Sequence, residues 1–343
     1  GQRAAPCREP CMPTILARAA LFAAVAFTAQ AQDEFRPALV YDLGGKFDKS
    51  FNEAAFTGAE RFKEETGVEY RDFEIQNDAQ REQAMRRFAR GGYEPIIAVG
   101  FTHKAAMTKV AADFPDTAFV IVDDVIDLPN VRSITFKEHE GSYLVGVLAA
   151  MAAGDGEVGF VGGMDVPLIR KFACGYVGGA KSVRGDIEVF QNMTGNTGAA
   201  WNDPVRGGEL ARTQIERGAE VVYHAAGGTG VGVLQAAADA GKLGIGVDSN
   251  QNGIHPGQVL TSMLKRVDVA VYDTFMQGMN GELETGVSVS LGVAEGGVDW
   301  ALDENNESLI TEAMQAAVDE AKASIVAGDV VVHSYLDDQS CPY

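Results

Sequence analysis

From Pro37 onward, short apolar runs alternate with longer amphipathic stretches, and this alternation constrains the fold more than any other feature of the chain. "PALVYDL" precedes "FNEAAFTGAERFKEETG", where Phe51, Ala55, Ala59 and Phe62 share one helical face and Gly67 ends the helix. "VEYRDFEI", "EPIIAVGF", "TAFVIVDD" and "NVRSITF" read as strands, with "DAQREQAMRRFARGG", opened by Asp78, and "THKAAMTKVAADFP" as helices between them. Strands that are apolar throughout, rather than at every second residue, belong to a parallel sheet covered on both faces.

A second set of the same units follows. "EHEGSYLVGVLAAMAAG", "PLIRKFACGYVGGAKSV", "DPVRGGELARTQIERG" and "TGVGVLQAAADAG" are its helices. "EVGFVGG", "DIEVFQNM", "AEVVYHAAG" and "LGIGVDS" are its strands. The remainder adds "QVLTSMLK", "VDVAVYDTFMQGMNG" and "VSVSLG", then a long helical stretch, "NESLITEAMQAAVDEAKASIVAG". The expected class is α/β, with two doubly wound parallel sheets and no low-complexity linker between them. Ligands of such sheets bind at the carboxyl ends of the strands. Asp42, Asp123 and Asp124, Ala225 to Gly228, and Asp248 stand there, so the two sheets are expected to face one cleft.

The formal charge of −20 argues against nucleic acid as a partner, because an acidic surface repels phosphate. The segment "MPTILARAALFAAVAFTAQAQDEF" has Arg18, an apolar run from Ala19 to Phe27, and Ala29-Gln30-Ala31. This is the pattern of a secretory signal peptide, too short for a membrane span. Residues 1–11 are read as upstream of the start at Met12, and the mature chain is expected to begin near Gln32. No cysteine stands at the end of the apolar run, where a lipid would be attached, so a soluble, unanchored periplasmic protein is expected, and its start near Gln32 leaves out Cys7 and Cys11. Only Cys174 and Cys341 remain. In an oxidising compartment two cysteines can pair, but sequence alone does not show whether these lie close enough.

Catalytic motifs are absent: there is no H-E-x-x-H, G-x-S-x-G or G-x-x-x-x-G-K-[ST], and the five histidines show no metal-ligand spacing. "GGTGVG" at 227–232 approaches a dinucleotide loop but has Val233 where the third spaced glycine belongs. Neither a cofactor nor a metal is expected.

"DLGGKFDKSFNEAAF", "EGSYLVGVLAA", "VGFVGGMDVPLIRKFACGYVGGA", "AWNDP" and "GVDSNQ" together resemble the basic membrane protein family, the nucleoside-binding receptors of ABC importers. The resemblance runs from about Pro37 to Gly328. It implies a type I periplasmic binding fold with three crossovers, a hinge and a closing cleft. The lobes would comprise residues 36–136 with 265–286, and 137–264 with 287–343. It also implies a purine between Phe51 and Trp201, base-edge contacts from Asp48, and further polar contacts from Asp42 and from one of Asp123 and Asp124. Ribose would be held by Asp248 and Lys265, with backbone at Gly227 and packing from Phe172.

Without the resemblance, the same residues have plainer readings. By periodicity Phe51 is a core residue, Asp48 an N-cap, Asn52 a stabiliser of its own turn, Asp248 a turn cap and Lys265 a solvated charge. Three functions therefore stand side by side. The first is a monomeric, non-enzymatic binding protein that delivers a nucleoside to a membrane permease. The second is a sensor that presents its ligand to a membrane receptor. The third is a nucleoside hydrolase, which would need a general base or a metal in the cleft.

Overall fold

The computed structural model describes residues 35–343. The expected signal peptide, its cleavage point and the unanchored N-terminus lie outside the described residues.

The chain builds two six-stranded sheets. In the first lobe, β1 (Ala38–Tyr41), β2 (Arg71–Glu74), β3 (Ile96–Val99), β4 (Phe119–Val122) and β5 (Val131–Phe136) alternate with α1 (Phe51–Thr66), α2 (Ala79–Arg90) and α3 (Lys104–Asp113). After β5 the chain enters the second lobe. There α4 (Glu138–Ala153), β6 (Glu157–Met164), α5 (Pro167–Val183), β7 (Val189–Gly195), α6 (Pro204–Glu216), β8 (Ala219–Ala225), α7 (Gly230–Asp239), β9 (Leu243–Asp248) and β10 (Val259–Lys265) follow. The chain then returns through α8 (Val267–Asn280) and β11 (Val287–Leu291), and crosses a last time to β12 (Val298–Trp300), α9 (Glu312–Ala327) and α10 (Tyr335–Asp338).

The sheet orders are β11-β5-β4-β3-β1-β2 and β12-β10-β9-β8-β6-β7. All pairings are parallel except that of β12 with β10. The expected two-sheet α/β architecture with three crossovers is the one observed. One boundary differs. Val287–Leu291 pairs with Val131–Phe136 of the first sheet, so the last crossing falls after Leu291 rather than at 287. The run "VSVSLG" looks the same from either lobe, and only its pairing partner decides. The terminal helix is also shorter than expected, because Glu307–Leu309 forms a separate 3-10 turn before Thr311 caps α9.

Strands β1, β3 and β4 are buried at every residue, as strands covered on both faces must be. Helices α2 and α3 cover one face of the first sheet, α1 and α8 the other; α6 and α7 pair on the second sheet, opposite α4 and α5. Each fully buried Leu, Ile or Phe of these layers contributes roughly 1.5–3 kcal/mol. The α4–α5 contact is close enough to demand glycine: a Cβ on Gly179 would lie 2.0 Å from the Tyr143 carbonyl oxygen, and one on Gly146 2.3 Å from that of Tyr176. Cys174 of α5 is joined to Cys341 by a disulfide that ties the C-terminal segment to the second lobe.

Candidate functional site

Between the lobes lies a cavity of about 560 Å³, counted out to its solvent-open mouth. It sits at the carboxyl ends of the strands of both sheets, where a doubly wound fold places its ligands. Every residue singled out from sequence lines it except Asp124. Asp124 instead turns away, 2.8 Å from Lys104 Nζ, and accepts the Val125 N–H. Both aspartates lie just past β4, where Asp123 takes a left-handed backbone conformation, and of the two only Asp123 lines the cleft.

The loop 42–50 forms the first-lobe wall. Asp42 Oδ1 accepts from Leu43 N–H at 2.7 Å and from Arg81 Nη1 at 2.7 Å, and Oδ2 accepts from Thr102 Oγ1. Asn52 spends both kinds of hydrogen-bonding group on this loop: Oδ1 accepts the Asp42 N–H, and Nδ2 donates to the carbonyls of Asp42 and Gly45. Asp48 accepts the N–H groups of Ser50, Asn52 and Glu53, and so caps the first turn of α1. Burial pushes its carboxyl up to about 7 against those three donors. The plainer readings of Asp48 and Asn52 therefore describe real contacts, although both residues also border the cavity.

Four apolar groups frame the space. Phe51 opens α1, and Phe172 of α5 faces it from the second lobe. Trp201 ends the 3-10 turn Gly198–Trp201, with its ring packed against Gly163, where a Cβ would come within 2.1 Å of it. Phe101, just past β3, supplies a fourth ring. Sequence reading had passed over Phe101, although its place directly after an apolar strand was the available signal.

The deep end of the cavity is charged. Asp123 directly follows β4 at φ 75 and Asp248 ends β9 at φ 64; both are left-handed positions, uncommon for a residue with a side chain. Lys265 Nζ lies 2.7 Å from Asp123 Oδ2 and 2.9 Å from Glu138 Oε1, and Lys171 Nζ lies 2.5 Å from Glu138 Oε2. Lys265 is 2% exposed, so it is not the solvated charge that its residue type suggests. Its ammonium also sits 5.1 to 5.5 Å from the rings of Phe51, Phe136 and Phe172. Burial pushes the Asp123 carboxyl up to about 6 despite Lys265, whereas the two lysines hold Glu138 down at about 2. Burial likewise raises Asp248. The Oδ1 of Asp123 is buried without a hydrogen-bond partner. Glu138 and Lys171 were not singled out from sequence, since nothing in their spacing shows that they meet.

The lobes also touch directly. Ser50 Oγ donates to Asp248 Oδ2, Ser249 Oγ donates to the Ser50 carbonyl at 2.8 Å, and Gln251 Nε2 donates to the Lys49 carbonyl at 2.8 Å. Behind them, Gln251 Oε1 meets His224 Nε2 at 2.7 Å. The glycines of "GGTGVG" serve packing: a Cβ on Gly232 would lie 1.8 Å from the Pro204 carbonyl oxygen, and one on Gly230 would strike the His224 ring.

The family model for PnrA-like ABC transporter substrate-binding proteins, Bmp, matches residues 37–333. The chain belongs to the Bmp family. It is 33% identical over 329 residues to the ABC transporter nucleoside-binding protein BmpA of Lactococcus lactis, covering 90% of this chain and 91% of that one. It is 32% identical over 321 residues to a CD4+ T-cell-stimulating antigen of Listeria monocytogenes, covering 87% and 88%. Among solved structures, a solute-binding protein of an ABC transporter system from Aeropyrum pernix superposes with TM-score 0.81 at 29% identity, over 89% of this chain and 95% of that one. The Bmp family is one of substrate-binding proteins rather than of enzymes, which agrees with the non-catalytic reading. A Pyrococcus abyssi relative, 34% identical over 283 residues, is named a lipoprotein, and the expectation of an unanchored chain is not retained.

Proposed function

We propose that this Bmp-family protein binds a nucleoside, with a purine base, between its lobes and delivers it to a membrane permease. The observation that carries the reading is the composition of one cavity: aromatic rings from both lobes line it together with a lysine set among buried carboxylates. A flat base fits between Phe51 and Trp201, where stacking is worth roughly 1–3 kcal/mol per ring. Ribose hydroxyls donate to carboxylate oxygens, and the unpartnered Asp123 Oδ1 and the Asp248 carboxylate, both on residues of the cavity wall, support that role. The nucleoside-binding name of the Lactococcus lactis relative supports the same ligand class. The substrate-binding role of the family supports delivery from the outer side of the membrane, which this reading assigns to a monomer.

A thermal-shift screen against nucleosides, free bases and sugars tests the ligand class. A ligand that binds only the folded state raises its stability by about 2.7 kcal/mol at a hundredfold excess over Kd. Nucleosides are expected to raise Tm while free sugars do not. A rise with sugars alone would reject the base-stacking reading.

A further inference from the structure

Four buried charges of alternating sign run from the cavity wall to the space behind it: Asp123, Lys265, Glu138 and Lys171. They come from different parts of the molecule. Asp123 directly follows a first-lobe strand, Lys265 ends a second-lobe strand, Lys171 belongs to α5, and Glu138 begins α4 at the first crossing between lobes. Lys171 Nζ also donates to the Phe136 carbonyl at 2.8 Å, anchoring its end of the row to the first sheet. Glu138 is 0% and Lys171 4% exposed. Neither lines the cavity; both border a separate space behind the hinge, beneath the segment from Ile325 to Asp337.

We propose that Glu138 and Lys171 are positioning residues, which hold Lys265 against Asp123 and set the charge that this pair presents to a ligand's hydroxyl groups. The reasoning is electrostatic. A buried ammonium between two carboxylates is shared by them, and its position depends on how far each carboxylate is already neutralised. Lys171 neutralises much of Glu138. Lys265 is thereby left to Asp123, a residue of the cavity wall that keeps its second carboxylate oxygen unpartnered. Remove the charge of Lys171, and Glu138 competes for Lys265, so Asp123 is less well balanced and protonates more easily. Remove the charge of Glu138, and Lys265 serves Asp123 alone, so Asp123 protonates less easily. The two changes act in opposite directions. A purely structural role for either residue has no such signature.

The other charged groups facing Asp123 are Asp248 across the cavity and, through the same space, Asp48 and the Asp42–Arg81 pair; the adjacent Asp124–Lys104 pair points outward. Asp48 titrates in a similar range, but its neighbours are the α1 amides and Asp248 rather than Glu138 or Lys171. Its contribution is therefore common to parent and variants.

This inference rests on the nucleoside reading for its purpose but not for its test. The Asp123 carboxyl carbon, assigned by its loss in Asp123→Asn, is followed by ¹³C NMR against pH in the ligand-free protein. Its midpoint is expected to rise by about one unit in Lys171→Met and to fall by about one unit in Glu138→Gln, with Lys171→Arg close to the parent. Unmoved midpoints, or midpoints that move together, would overturn the proposal. If Lys171→Met does not fold, the isosteric Glu138→Gln decides by direction alone. Calorimetry with inosine across the same pH range should show affinity tracking each midpoint. If the midpoints separate as stated while the parent binds no nucleoside, the charge network stands and the nucleoside reading fails. If inosine binds and the midpoints coincide, the network proposal fails and the nucleoside reading stands.

Discussion

Trp201 and Gly163 are a matched pair: the indole lies in the room that the missing side chain leaves. Gly163→Ala would drive the ring toward the ligand space without removing any polar contact. Its expected effect is a loss of nucleoside affinity of about tenfold, the equivalent of 1.4 kcal/mol, with little change in Tm. Titration calorimetry and a melting curve on the one variant check both parts.

His224 supports a second prediction at this scale. Burial holds it neutral, with its pKa lowered to about 4, while its Nε2 meets Gln251. An unfolded chain takes up a proton here below the ordinary histidine value of 6.5, and the folded chain does not until about 4. The contribution of His224 to stability is thus complete above 6.5 and is lost as pH falls toward 4. Asp48 and Asp123, raised to about 7 and about 6, act in the opposite sense, losing their contribution as pH rises. Comparison of parent with His224→Gln isolates the histidine. The difference in unfolding free energy between them should change by about 2 kcal/mol between about pH 7.5 and about pH 5, to the parent's disadvantage at the lower pH. Urea denaturation at the two pH values measures it, and a difference independent of pH would refute it.

Among the elements, α1 shows how one residue serves two purposes. Asp48 holds three N–H groups of its first turn, so Asp48→Ala is expected to cost about 1 kcal/mol of folding stability in addition to any loss of binding. Denaturant unfolding of the ligand-free variant separates the two effects. The strands and helices themselves were legible in sequence because apolar runs and 3.6-residue periodicity are local properties. The cavity wall was legible largely because polar residues at strand ends are local too. Three things were not. The partner of β11 depends on which sheet has a free edge at β5. The row from Asp123 to Lys171 depends on a meeting of lobes distant in sequence. The glycines of α4 and α5 are explained only by the approach of the two helices, where Gly179→Ala would bring a methyl group against the Tyr143 carbonyl.

For the whole molecule, the Cys174–Cys341 disulfide decides what the sequence had left open, and fastens the end of the chain to the second lobe. Thiol titration of the denatured, unreduced protein should find neither of these cysteines free. The larger question is what shuts the cleft. Direct bonds from Ser249 and Gln251 to the loop at Lys49 and Ser50, and the Lys265–Asp123 ion pair, draw the lobes together around a cavity lined by aromatic rings of both. A protein with this arrangement should close on its ligand, with contacts from both lobes stabilising the closed state. The most direct test is calorimetric titration of the parent and of Trp201→Ala with inosine, adenosine and guanosine. The parent should bind at least one of them, and Trp201→Ala should bind it about ten- to a hundredfold more weakly, the range expected for one lost stacking contact. Unchanged affinity in Trp201→Ala, or no binding of any nucleoside by the parent, would contradict the account.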